Sequence, residues 1–328
     1  MSFRSRQALA VPLVILIVAI LDYLYLGTPQ FVNALTIGGI YALIALGYTM
    51  VYGIIELINF AHGDIFMVGS MVTIALLTNL GFSGAIPNTA ELVGVLILTF
   101  AVAMGVMGVV GVIIERFAYR PLRNAPKLAP LITAIGVSFI LENIIQALVG
   151  PSPVIVPQII DPTAEVTIAG SQISFLKVFV VIIAIGLMIA LQLFVGRTRL
   201  GRAMCSTAID RDAASLMGVD INFTIAVTFF IGSALAGAAG VVQGLYFGTT
   251  NFQVGFQAGL KAFTAAVLGG IGNTTGAAVG GFIIGFIEVL ASTYGYGRWS
   301  EAAVFTTLVL VLVFRPTGIL GQQLADRA

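Results

Sequence analysis

The sequence predicts an all-α polytopic membrane protein, and three observations carry that prediction. Apolar runs close to the roughly 20 residues that span a bilayer as a helix recur along the chain. Only 9% of its 328 residues are charged, where a soluble domain carries about 25%. The runs do not alternate as barrel strands do: Val93 to Ile114 is continuous. The 38 glycines suit helices that approach closely in lipid, where small residues bring backbones together.

Taken in order, ten spans are expected, about 8–25, 32–54, 62–80, 92–114, 131–149, 175–195, 222–246, 258–271, 276–293 and 299–314. The first follows MSFRSRQ and resembles a signal sequence. No small-residue cleavage pattern follows Leu21, however, so it is read as a retained helix. The second carries Tyr41, Tyr48 and Tyr52 on one stripe that packs against another span. The fifth contains Glu142, and the ninth Glu288 nearer its outer end, which reads as structural. The segment Gly150 to Ser174, with Pro151, Pro153, Pro157 and Pro162, has little helical pattern. The eighth span is short, interrupted by Gly269, Gly270 and Gly272, and reads as re-entrant.

Charge orients the spans. With the N-terminus in the cytoplasm, twelve of the 15 basic residues fall inside: Arg4, Arg6, Arg116, Arg120, Arg123, Lys127, Arg197, Arg199, Arg202, Arg211, Arg315 and Arg327. Lys177, Lys261 and Arg298 fall outside. This asymmetry follows the positive-inside rule and places both termini in the cytoplasm.

A repeat is also visible. Asn59-Phe60-Ala61-His62-Gly63 and Asn251-Phe252-Gln253-Val254-Gly255 share N-F-x-x-G at an offset of 192, and Ala42-Leu43 matches Ala234-Leu235 at the same offset. The topology puts the first copy at the inner face and the second at the outer face. The halves 32–149 and 222–314 of this single 1–328 domain are then inverted, as in many transporters.

The charged stretch Gly201 to Gly218, within the loop 197–221, cannot lie in hydrocarbon, where each charge costs about 2.5–3.5 kcal/mol. It reads as a short cytoplasmic helix in which Asp210 caps a turn, Asp212, Ala213 and Ala214 follow, and Gly218 occupies the C′ place. Leu216 and Met217 are apolar anchors beside Arg211 and Asp212. The same residues fit either a solvated loop or a helix docking on a soluble partner.

Catalysis finds no support. Single His62 and single Cys205 make neither a metal cluster nor a disulfide. None of Lys127, Lys177 and Lys261 follows a glycine, so no nucleotide-binding loop exists. A net charge of +1 suggests no nucleic-acid partner. For a transport path, the polar candidates are Asn59, His62 and Asp64 at the inner break, Asn251 and Gln253 at the outer break, and Glu142 within its span. Helix capping is the competing reading for Asn59 and Asp64. An ion-coupled secondary transporter is the rival from another class, with Glu142 as its main acidic group.

Gly201-Arg202-Ala203, Asp210, Ala213-Ala214 and Gly218 resemble the coupling loop of ABC-importer permeases. Tyr41 to Ser70, Glu115 to Arg123, Ala258 to Gly272 and Phe314 to Gly321 are similar, in the same order, to blocks of the LivH-type branched-chain amino acid permeases. The first span and the Gly150 to Ser174 loop look diverged. The resemblance implies a type II importer-like fold in the inner membrane, binding no cofactor or metal itself. Implied partners are a LivM-like permease, two LivG/LivF-like ATPases that handle ATP and magnesium, and a periplasmic amino-acid-binding protein. The resemblance also implies ATPase coupling through Gly201, Arg202, Asp210, Arg211, Asp212, Ala213, Leu216, Met217 and Gly218. Urea or short amides are the alternative cargo within the family.

Overall fold

The computed structural model describes residues 3–123, 125, 126, 128–168, 170–315 and 317–321, with side chains from residue 27 onward. Lys127, Pro316 and Arg327 lie outside the described residues, as do the side chains of Arg4 and Arg6.

Among the described residues eleven α-helices follow in order: α1 (Phe3–Ile55), α2 (His62–Asn79), α3 (Thr89–Ile114), α4 (Leu128–Val149), α5 (Phe175–Arg197), α6 (Arg199–Ile209), α7 (Arg211–Leu216), α8 (Ile221–Phe247), α9 (Val254–Gly269), α10 (Thr274–Thr293) and α11 (Ser300–Phe314). The first two expected spans form the single run α1, broken at Gly27, whose φ of 73° and ψ of 166° are not helical. Among the described residues, seven helices are long and apolar enough to cross a membrane: Gly27–Ile55, Thr89–Leu122, Leu128–Val149, Phe175–Arg197, Ile221–Phe247, Thr274–Thr293 and Gly297–Phe314. The 16-residue α9 is shorter, and α2 opens on His62 and Asp64.

Packing divides the helices into a centre and a rim. In α1 the residues from Ile40 to Val51 are buried without interruption, and α8 is buried for most of its length. Helices α4, α5 and α11 expose large apolar side chains such as Ile132, Phe139, Ile182 and Val313. Such faces are stable only against lipid or another apolar surface. The contacts pair up: α1 packs on α10 and α8 on α3; α2 on α8 and α9 on α1; α4 on α2 and α11 on α9.

The helices that follow the expected inner and outer breaks start against each other, Gly63 of α2 meeting Gly255 of α9. The His62 ring lies against Gly47 of α1 and 4.8 Å from the Tyr48 ring, centre to centre. From Gly47, α1 runs on to Ile55, about 12 Å at 1.5 Å per residue. Residues 56–61 must therefore double back before α2 begins. On the other side, Thr250 follows the end of α8, and its hydroxyl lies 3.0 Å from that of Ser70. Ser70 stands about 10 Å along α2 from Gly63. Residues 251–253 return over that distance, and Gly255 then meets Gly63. From this meeting α2 runs toward the C-terminal end of α8, with Gly69 against Gly237 and Ser70 near Gly244. Helix α9 runs the opposite way and ends near Gly53 of α1. After each expected break the chain thus folds back, so that two shorter helices, α2 of 18 residues and α9 of 16, start side by side inside the protein. Each loop had looked terminal because a helix stops there, and sequence does not show a chain folding back.

The described residues of 150–174 are non-helical, as expected. Within it, strand β1 (Val154–Ile155) pairs antiparallel with β4 (Thr249–Thr250), and β2 (Glu165–Ile168) pairs with β3 (Ser171–Ser174). Val156, Ile159 and Ile160 are buried, and Ile86 donates its amide to the Ile159 carbonyl at 3.0 Å. This segment therefore covers the end of the molecule where α8 stops.

Candidate functional site

Two regions gather the expected residues. The first is the meeting of α2 and α9. A Cβ placed on Gly63 would stand 2.8 Å from the Gly259 Cα, and one on Gly255 would stand 2.6 Å from Asp64 Oδ1. Only glycine allows this approach, which leaves no room for a side chain at the contact. Asn59, His62 and Asp64 are all buried there.

Their partners differ from those a capping role requires. Helix α2 has Ala61 at its N-cap and no side-chain cap. Asp64 accepts a hydrogen bond from Ser138 of α4. The Tyr119 hydroxyl lies 3.1 Å from Asn59 Oδ1 and 3.3 Å from the Ile58 carbonyl oxygen. The Asn59 amide nitrogen is buried without a hydrogen-bond partner. The Asn251 side-chain oxygen accepts from the amides of Gln253 and Val254 at 2.9 and 3.0 Å, just before α9, whose N-cap is Gln253. Gln253 is exposed, and Glu142 stands one turn beyond Ser138 on the same face of α4. Ser138 and Tyr119 were missed by sequence. Ser138 has a faint signal, a hydroxyl four residues before Glu142. Tyr119 belongs to the Glu115 to Arg123 block.

The tyrosine stripe faces α9 and α10. Tyr48 packs edge-on to Phe263 with centres 6.0 Å apart, and Tyr41 donates to Glu288 at 2.8 Å.

The second region is the charged stretch, which forms two helices rather than one. Thr198 caps α6 by accepting from Gly201 at 3.0 Å. Asp210 ends α6 and caps α7, accepting from Asp212 and Ala213 at 2.9 and 3.0 Å. Gly218, with φ of 86°, closes α7. Its amide donates to Ser215 and that of Val219 to Ala214, the paired bonds that need a left-handed residue here. Gly201 and Ala214 are buried; Arg202, Asp212 and Ala213 are exposed. Leu216 and Met217 are 89% and 84% exposed, an apolar tip left uncovered among the described residues. Cys205 is a free, exposed thiol.

Arg211 ties the charged stretch to α1. Its Nη2 donates to the Ile54 carbonyl oxygen, at the end of α1, at 3.0 Å. The π-helical turn Glu115–Tyr119 that continues α3 presents Glu115 to Arg123, which also donates to Asn222 of α8 at 2.7 Å. Burial pulls the Arg123 guanidinium below its ordinary value, and Glu115 beside it opposes that shift.

The chain matches, over residues 30–314, the family described as branched-chain amino acid transport system permease component. It is 42% identical to the high-affinity branched-chain amino acid transport system permease protein BraD of Pseudomonas aeruginosa, over 89% of this chain and 95% of that protein. The chain belongs to this permease family. It is also 42% identical to LivH of Escherichia coli K12 with the same coverage, and 28% identical to a probable LivH of Methanocaldococcus jannaschii over 88% of this chain and 91% of that protein. No solved structure matches it. The match starts at residue 30 and so takes in the permease helices from just after the Gly27 break. It includes α2, α9 and the α6–α7 hairpin.

Proposed function

We propose that this permease is the membrane subunit of an ATP-driven importer for branched-chain or other hydrophobic amino acids. The observation that carries the reading is identity of 42% across 95% of relatives named for that transport. The permease would sit in the inner membrane beside a LivM-like permease, with two ATPases below and an amino-acid-binding protein outside. Both termini would lie in the cytoplasm.

Ten crossings and an inverted repeat fit the packing described above. Two crossings would each combine a returning loop with a shorter helix, α2 or α9. The exchange of partners between halves supports the repeat: α1 lies on α10 as α8 lies on α3. Gly63 and Gly255, equivalent at the 192-residue offset, touch each other as residues on a pseudo-two-fold axis do.

Coupling would enter at α7. Leu216 and Met217 form the apolar anchor for an ATPase groove, Asp210 and Gly218 hold the hairpin's shape, and Arg211 ties it to α1. Motion of α7 would shift the end of α1 and the 56–61 return that seats α2. Separating α2 from α9 would then open a path lined by Asn59, His62, Asp64 and Glu142. Half-helix N-termini suit a substrate carboxylate.

Reconstitution of the permease with its partner subunits tests the reading. Labelled leucine should accumulate in vesicles only with ATP and the binding protein present. Uptake of urea in preference to leucine would move the cargo to amides, and uptake driven by an ion gradient without ATP would remove the importer assignment.

A further inference from the structure

We infer that a cavity of about 210 Å³ between α1, α8, α9 and α10 is a transport subsite for a zwitterion with an apolar side chain; this rests on the amino acid importer reading. Lys261 and Glu288 meet there at 2.8 Å, with side chains only 11% and 19% exposed. Both stand on helices that otherwise carry almost no charge: α9 has no other ionisable residue, and neither has α10. Tyr41 donates to the second Glu288 oxygen at 2.8 Å, and the Lys261 ammonium lies 5.8 Å from the Tyr41 ring centre. Glu301 of α11 approaches Lys261 at 3.9 Å.

Charges set within spanning helices are costly and mark substrate paths. A buried ion pair adds little stability over an apolar one of similar volume, so packing alone gives weak reason for this one. The lining also includes the apolar side chains of Ile37, Ile40, Phe247 and Val254. A cavity of about 150 Å³ holds benzene, so this one accepts a molecule of leucine's size.

The chemistry is an exchange of partners. The ligand carboxylate takes the Lys261 ammonium, the ligand ammonium takes Glu288 and the Tyr41 oxygen, and the side chain lies on the apolar lining. No net charge enters, so the exchange leaves no uncompensated ion. Urea, uncharged and small, would not split the pair. Sequence placed Lys261 in an outer loop count and Glu288 in a structural role; only the approach of α9 to α10 brings them together.

The test uses the assembled importer in vesicles, with Cys205→Ser to remove the native thiol and Gln257→Cys at the cavity rim as the reporter. During ATP-driven uptake, leucine should slow maleimide labelling at position 257 at least threefold, and urea should not. Lys261→Met should abolish that protection and lower leucine uptake tenfold or more while still co-purifying with the ATPases; Lys261→Arg should keep part of both. Leucine transport at the usual rate with unchanged labelling would overturn the subsite. So would wild-type uptake by the doubly substituted Lys261→Met, Glu288→Met protein, which would leave the pair a packing contact. Vesicles of the unsubstituted importer that take up no leucine at all would overturn the importer reading and this subsite with it.

Discussion

Asp210 shows how much one side chain holds. Its carboxylate accepts from two amides and sets the angle between α6 and α7. An N-cap replaced by alanine costs about 0.5–2 kcal/mol, while asparagine caps as well as aspartate. Asp210→Ala should therefore reduce leucine uptake severalfold with the permease still in the membrane, and Asp210→Asn should transport nearly normally. Equal uptake by the two variants would mean that the cap does not matter to coupling. Arg211 makes a stronger demand. Losing its bond to Ile54 breaks the one side-chain link described between the hairpin and the end of α1. Arg211→Met should lower uptake about tenfold while ATP hydrolysis persists, since a hydrogen bond to a charged group is worth about 1.5–3 kcal/mol. Hydrolysis and uptake measured in the same vesicles separate this from loss of assembly. Ser138→Ala removes the donor to Asp64. A buried acceptor left without its partner costs about 1–3 kcal/mol, so the solubilised protein should melt several degrees lower, and Ser138→Thr should restore most of the loss.

At the scale of elements, the governing fact is that α2 and α9 begin together. Their contact depends on Gly63, Gly255 and Gly259, with Asp64 already beside Gly255. Overpacking a tight contact costs about 1–3 kcal/mol and pushes elements apart. Gly255→Val should lower thermal stability by that order and block uptake, because the helices can no longer close on each other. Normal stability in a scanning melt would show that the two helices tolerate separation. Seven of the expected spans return as helices long and apolar enough to cross a membrane, because each is a long apolar run and a membrane leaves a helix few alternatives. The starts of α2 and α9 were readable as breaks but not as neighbours. The N-F-x-x-G letters marked both, yet the letters carry no depth.

For the whole molecule, the charge asymmetry and the packing lead to one topology experiment. In the Cys205→Ser background, single cysteines within 150–168 should label from outside intact cells, and those at positions 202 or 216 only after the membrane is opened. Labelling of both sets from the same side would remove the ten-crossing arrangement. By itself the sequence determined that the chain is helical and built of membrane-length apolar runs, roughly where its helices lie, and which segment is too charged to enter lipid. Composition and run length suffice for that, since burial in hydrocarbon acts on each segment separately. Only the tertiary structure decided that α2 and α9 start against each other, that Asp64 rests on Ser138, that Arg211 reaches α1, and that Lys261 faces Glu288. Each of those depends on helices far apart in the chain. What brings them together is close packing through small residues, whose consequences appear only when two backbones touch.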